Sequence, residues 1–228
     1  CIYRLPGIFG KWCRPNYNSV VATFCFNIAN KKPIVASNNT SELPLVYVDD
    51  LITSFIQTLE NTPPGVYWPE ITPQYHVTLK ELSSQIQAFE DSRTNNVSES
   101  VGEGLTRALY ATYISYLPKE RFVYDLTKHS DERGVFVEFL KTKNSGQFAY
   151  LTAHPGVTRG GHYHHTKTEK FLVISGTARF NFRNMDTNET YELISSEVSF
   201  SFQSLISPCI DISVCNQNAC ACLSQPSV

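Results

Sequence analysis

The chain has 228 residues, with 19 Lys and Arg against 21 Asp and Glu, for a formal charge of −2. That length can hold one large or two small domains with a real core, and the charge offers no basic surplus for nucleic acid or an anionic membrane surface. No apolar run approaches the length of a spanning helix, and Cys1-Ile2-Tyr3-Arg4-Leu5 is not organised as a secretion signal, so the expected setting is the cytoplasm.

The chain starts in an apolar, strand-like run without a methionine, and Pro15-Asn16 breaks it. Ser19 to Asn30 has helical periodicity, with the serine at its start. Leu45-Val46-Tyr47-Val48 reads as a strand, and Asp49-Asp50 open a helix from Leu51 to about Glu60. Pro63-Pro64-Gly65 is a turn. Thr78-Leu79-Lys80-Glu81 is a capping box for a helix to about Phe89, and Gly104 to Tyr116 is a further helix ended by Pro118. Residues 1–118 therefore read as α/β.

From Arg121 the period changes to two. Arg133–Phe139, Gln147–Thr152, Lys170–Ile174, Ala178–Arg183 and Thr190–Ile194 are successive strands between Gly, Asn, Asp and Pro turns. Residues 119–198 read as all-β. The remainder, 199–228, loses both alternation and charge, and four of the seven cysteines (Cys209, Cys215, Cys220 and Cys222) crowd into it. It is read as a disordered or out-of-frame tail rather than a cysteine metal site. The cysteines also lack the spread of a secreted disulfide framework.

Within the all-β part, Gly156, His162, His164, Glu169 and Gly176 follow the spacing G-x5-H-x-H-x4-E-x6-G. Side chains alternate on a strand, so His162 and His164 are expected on one face and His165 on the other. Two imidazoles and a carboxylate suit a divalent metal, or a base beside an acid. Arg133, Arg159 and Lys170 are candidate anion holders. Asn16, Tyr17 and Asn18 are candidate sugar contacts that also read as a plain turn. His76, His129 and His154 have no partner pattern, and Tyr110, Tyr113, Tyr116 and Tyr124 read as core or interface.

Two resemblances rest on these residues. Tyr3-Arg4-Leu5-Pro6-Gly7-Ile8-Phe9-Gly10, Pro15-Asn16-Tyr17-Asn18-Ser19 and Leu45-Val46-Tyr47-Val48-Asp49-Asp50 resemble the C-terminal part of the extended short-chain dehydrogenase/reductases that act on nucleotide sugars. The histidine spacing resembles the first motif of the cupin jelly rolls. Asp131-Glu132-Arg133-Gly134-Val135-Phe136 and Arg159-Gly160-Gly161-His162 are similar to the deoxysugar epimerases. The order of the two halves resembles the bifunctional capsular-polysaccharide epimerase/reductases of the UDP-N-acetyl-L-fucosamine route.

That resemblance implies C3 epimerisation of a UDP-2-acetamido-2,6-dideoxy-4-hexulose by the cupin, followed by NADPH-dependent reduction of the C4 ketone. It also implies a divalent metal, zinc, on His162, His164 and Glu169, or His162 as the base, and a homodimer formed through the cupin. The sequence departs from the family in three ways. No glycine-rich cofactor turn follows an opening strand, no Tyr-x3-Lys lies in the first half, and no histidine follows His165. The expectation is a reductase part and a cupin cut at both ends, with a barrel lacking its last strands. A stand-alone cupin epimerase or ketoisomerase, a non-catalytic metal- or sugar-binding module, and an inert truncation are the alternatives.

Overall fold

The computed structural model describes all residues except 37–39, 62–63, 163–166, 185, 198–200, 204–207, 215–217 and 227–228. At 162, 167–168 and from 201 onward only the backbone is described. The chain forms two units, Cys1–Asn95 with Glu99–Tyr124, and Asn96–Ser98 with Asp125–Val228.

In the first unit β1 (Gly7–Phe9) runs parallel to β2 (Glu42–Tyr47). Between them lies α1 (Val20–Ala29), capped by Ser19, whose Oγ accepts from the Ala22 N–H at 3.3 Å. β2 passes directly into α2 (Val48–Asn61), with Asp49 and Asp50 at the positive end of its dipole. β3 (Tyr75–Thr78) pairs antiparallel with β2 and ends in the expected capping box. There the Thr78 N–H donates to Glu81 Oε2 at 2.9 Å, and the Glu81 N–H donates to Thr78 Oγ1 at 3.2 Å.

Helix α3 (Leu79–Asn95) runs well past Phe89 and stops before Asn96, whose φ of 61° is left-handed. After β4 (Val97–Ser98), α4 (Gly104–Ile114) completes the helices. Leu82, Ile86 and Phe89 of α3 join Val21, Phe24 and Ile28 of α1 and Leu109 and Tyr113 of α4, and this core includes Phe9, Leu45 and Tyr47. Tyr110 and Tyr116 pack against the same core, and the Tyr124 ring lies 4.4 Å below the Arg93 guanidinium. The tyrosine stripe is therefore structural.

A charged knot closes this unit. Arg121 Nη2 lies 2.6 Å from Glu90 Oε1, the Tyr113 hydroxyl donates to Glu90 Oε2 at 2.7 Å, and Arg121 Nη1 donates to the carbonyl of Ala29. Burial raises the pKa of Glu90, but the hydrogen bonds from Tyr113 and Arg121 and the Arg121 and Lys31 charges outweigh it and leave the pKa lowered. A carboxylate with a depressed folded pKa contributes stability above its unfolded pKa, about 4.3, and loses it as pH falls through the folded value. Glu90→Gln is therefore expected to cost about 2 kcal/mol near neutral pH, with the penalty fading toward pH 3. Denaturant melts across that pH range measure this; a penalty that does not change with pH contradicts it.

The second unit is built of β5 (Lys128–Asp131), β6 (Gly134–Thr142), β7 (Gln147–Ala153), β8 (Thr158–His162), β9 (Lys167–Ser175), β10 (Thr177–Asn184), β11 (Thr190–Ser196), β12 (Ser201–Gln203), β13 (Pro208–Val214) and β14 (Asn218–Pro226). One sheet has the order β11-β10-β13-β8, and the other β12-β9-β14-β7-β6-β4 with β5 beside β6. Period-two alternation brings Leu151, Phe171, Val173, Ala178, Phe180 and Phe182 into one interior cluster.

The expected disorder of residues 199–228 and the expected lack of last strands differ from the structure, where β13 lies between β10 and β8, and β14 between β7 and β9. The alternation Ile210, Ile212, Val214 against Asp211 and Ser213 is a strand pattern that the cysteines and polar residues around it obscure. Among the described residues no helix is long and apolar enough to cross a membrane.

Candidate functional site

Strand β8 carries two of the anticipated site positions, Arg159 and His162. Strict alternation would put positions three apart on opposite faces. The pairing with β13 is not regular: Ile212 faces Arg159, Asp211 faces Gly160, and Ile210 faces His162, with a register shift between Ile210 and Asp211. Gly161 is the extra residue, and its φ of 73° is the left-handed conformation that glycine adopts without strain. Positions 159 and 162 thus oppose residues two apart on β13, which gives them the same parity. A bulge, not the alternation, sets this edge.

The arginines are brought together by Asp131, which opens the motif shared with the deoxysugar epimerases but is not among the expected site residues. Asp131 ends β5, and Glu132-Arg133 turn the chain into β6, with Asp131 opposite Gly134. Asp131 Oδ2 accepts from Arg133 Nε at 2.9 Å and from Nη2 at 2.6 Å. Its Oδ1 accepts from the Arg133 N–H at 2.9 Å and from Arg159 Nη2 at 3.2 Å. The hydrogen bonds from Arg133, joined by the charge of Arg159, hold the Asp131 carboxyl below the usual carboxylate range.

The two cations differ in setting. The Arg159 side chain is 17% exposed and that of Arg133 53%. The buried Arg159 Nε has no hydrogen-bond partner among the described residues. A buried donor without an acceptor is costly, and it suits a site that receives an anion. The Asp-x-Arg-Gly turn was the sequence signal for Asp131, since a short carboxylate at a turn caps amides two residues on.

The other expected residues are distributed as follows. Glu169 lies on β9, half-buried, and opposite Ser224 of β14. Lys170 is its half-buried neighbour, opposite Leu223 of β14 and Gln203 of β12. His164 and His165 lie outside the described residues, and His162 is placed by its backbone alone. The ends of β8 and β9 that carry positions 162 and 169 are joined by residues 163–166, so both belong to one end of the β-unit. Among the described residues no three of His, Cys, Asp and Glu come together as a metal-binding group.

Asn16, Tyr17 and Asn18 belong to the first unit, on the loop leaving the carboxyl end of β1. Asn16 has a φ of 55°, and its N–H donates to Thr23 Oγ1 at 3.0 Å. Tyr17 is exposed, with the Arg14 guanidinium 5.3 Å above its ring. The His154 backbone N–H donates to the Arg133 carbonyl at 3.0 Å, and the His129 ring lies 6.5 Å from that of Phe136.

Residues 129–208 match the family model described as the polysaccharide biosynthesis C-terminal domain. A curated Pseudomonas aeruginosa protein, UDP-2-acetamido-2,6-beta-L-arabino-hexul-4-ose reductase, is 54% identical over 192 residues, which is 84% of this chain and 52% of that protein. The capsular polysaccharide assembling protein CapF of Staphylococcus aureus superposes with a TM-score of 0.88 at 36% identity, over 97% of this chain and 61% of that one. CapF with the inhibitor 3-isopropenyl-tropolone gives 0.89 at 36% identity, over 97% and 65%.

The likeness to CapF supports a cupin-like fold for the two-sheet β-unit that follows the α/β unit. Over most of its own length the chain is similar to that UDP-sugar reductase and to CapF. It spans about half the length of the curated relative it matches.

Proposed function

We propose that the β-unit inverts C3 of a UDP-2-acetamido-2,6-dideoxy-4-hexulose, on the route to UDP-N-acetyl-L-fucosamine. The first unit, an extended short-chain dehydrogenase/reductase part in this reading, contributes sugar contacts through Asn16, Tyr17 and Asn18 to the NADPH-dependent reduction of the C4 ketone. The observation that carries this reading is the bulged strand β8, which gives Arg159 and His162 the same parity, beside a buried Arg159 Nε that has no hydrogen-bond partner among the described residues.

The chemistry needs a base for the C3 hydrogen, which the neighbouring ketone acidifies, and fixed positive charge for the enolate that results. A proton must then return on the other face. His162 takes the role of base, and Arg159, joined to Arg133 through Asp131, holds the diphosphate or the C4 oxygen, with Lys170 as a further candidate. A divalent metal, zinc by its donor types, would be held by His162, His164 and Glu169 and would supply Lewis acidity to the developing negative charge. A nitrogen bound to metal takes no proton, so the two roles of His162 exclude each other. Chelation separates them: exchange that survives a chelator assigns the base, and exchange lost and restored by zinc assigns the ligand. Assembly into a homodimer through the β-unit is part of the same reading, and light scattering on the purified chain measures it.

Incubating the chain with the UDP-hexulose in heavy water tests the proposal through deuterium uptake at C3. Arg159→Ala is expected to raise the apparent KM about tenfold, and the exposed Arg133→Ala less. Equal effects of the two substitutions would remove the special role of Arg159. No uptake by the unsubstituted chain would leave a binding module in place of an epimerase.

A further inference from the structure

Asp131 holds its two arginines unequally. Three hydrogen bonds come to it from Arg133: the backbone N–H at 2.9 Å, Nε at 2.9 Å and Nη2 at 2.6 Å. They close within a single turn. One longer bond, 3.2 Å, comes from Nη2 of Arg159, 28 residues away.

A guanidinium presents Nε–H and one Nη2–H side by side along one edge, spaced for two oxygens of a carboxylate or phosphate. On Arg133 this edge is full, because Asp131 Oδ2 accepts from both nitrogens. On Arg159 it is half full. Asp131 Oδ1 takes Nη2, and the buried Nε beside it has no hydrogen-bond partner among the described residues. An unpaired buried donor is unfavourable, and Asp131 cannot turn to serve it while Arg133 holds its other oxygen. The carboxylate is ionised at neutral pH, since the hydrogen bonds from Arg133 keep its pKa low.

We propose that Asp131 is a resident anion on the Arg159 edge, displaced by a phosphate group of the ligand, so that Arg159 contacts the diphosphate and not the C4 oxygen. A phosphate brings two charged oxygens to the parallel N–H groups of Nε and Nη2 and satisfies the donor that Asp131 leaves unpaired. A ketone oxygen is neutral in the bound substrate and does not displace a carboxylate from a guanidinium. Asp131 stays with Arg133, which anchors it and is not a second phosphate contact. Asp131 thereby sets specificity: a ligand gains Arg159 only if it outcompetes a carboxylate, which excludes uncharged ones. The inference rests on the reading of Arg159 as an anion contact and names the part of the substrate that it meets.

Calorimetric titration of UDP and of uridine into the parent chain and Asp131→Asn tests this. Asparagine keeps an oxygen for the Arg133 N–H and removes the charge. UDP is expected to bind Asp131→Asn about fivefold tighter, with uridine unchanged and the gain absent in Arg159→Ala/Asp131→Asn. In the parent chain, which needs no variant to fold, UDP is expected to shift the Arg159 Nε–H proton resonance and leave that of Arg133 in place. Three results overturn the inference and keep Arg159 as an anion contact: UDP binding that is unchanged or weaker in Asp131→Asn, a gain that persists without Arg159, or an Arg133 resonance that moves with that of Arg159. If Arg159→Ala binds UDP as the parent does, or neither binds it, the anion-contact reading falls and the inference with it.

Discussion

Replacing His162 with asparagine is expected to lower deuterium uptake at C3 by at least a hundredfold, while UDP binding changes less than about twofold. Asparagine keeps a polar side chain of similar length but cannot cycle a proton near neutral pH, whereas imidazole can. Position 162 ends β8, next to the bulge at Gly161, and circular dichroism of the variant separates a loss of chemistry from a loss of fold. A parallel loss of UDP binding would mean that His162 holds the ligand instead of moving its proton. Unchanged uptake would place the base elsewhere in the β-unit.

Replacing Gly134 with alanine is expected to destabilise the β-unit by about 3 kcal/mol or more. Gly134 has a φ of 136°, and a Cβ built there would sit 2.3 Å from the Thr152 carbonyl oxygen and 2.8 Å from its carbon. Both are backbone atoms of β7, so no side-chain rotation relieves the clash. Either β6 separates from β7 or the turn at Glu132-Arg133 shifts, and the second outcome displaces the Asp131 carboxylate that joins the two arginines. Gly102→Ala is the control, since a Cβ there meets nothing within 4 Å, and it is expected to stay within about 0.5 kcal/mol of the parent. Chemical melts followed by circular dichroism compare the two, and a Gly134→Ala protein as stable as the control contradicts the packing argument.

Local chemistry made much of the architecture legible in the sequence. The Thr78–Glu81 capping box and the Ser19 cap locate helix starts because each supplies a partner to amides that otherwise have none. Strands β6, β7, β9, β10 and β11 follow from alternation, with ends that differ by a few residues. What escaped depends on pairing between distant segments. The Gly161 bulge requires knowing that β13 lies beside β8, and without it the parity of Arg159 and His162 reads wrongly. Asp131 acts through Arg159, which is 28 residues away in sequence. The β13 alternation was hidden among cysteines and serines, and nothing local in α2 tells that its apolar stripe faces outward.

The most direct measurement of the central claim is proton NMR of the UDP-hexulose incubated with the chain in heavy water and no nicotinamide. If the β-unit epimerises C3 as proposed, deuterium enters C3, the C3 epimers interconvert and the C4 ketone stays intact. Ketone reduction only on addition of a nicotinamide, with no deuterium at C3 under any condition, would contradict it.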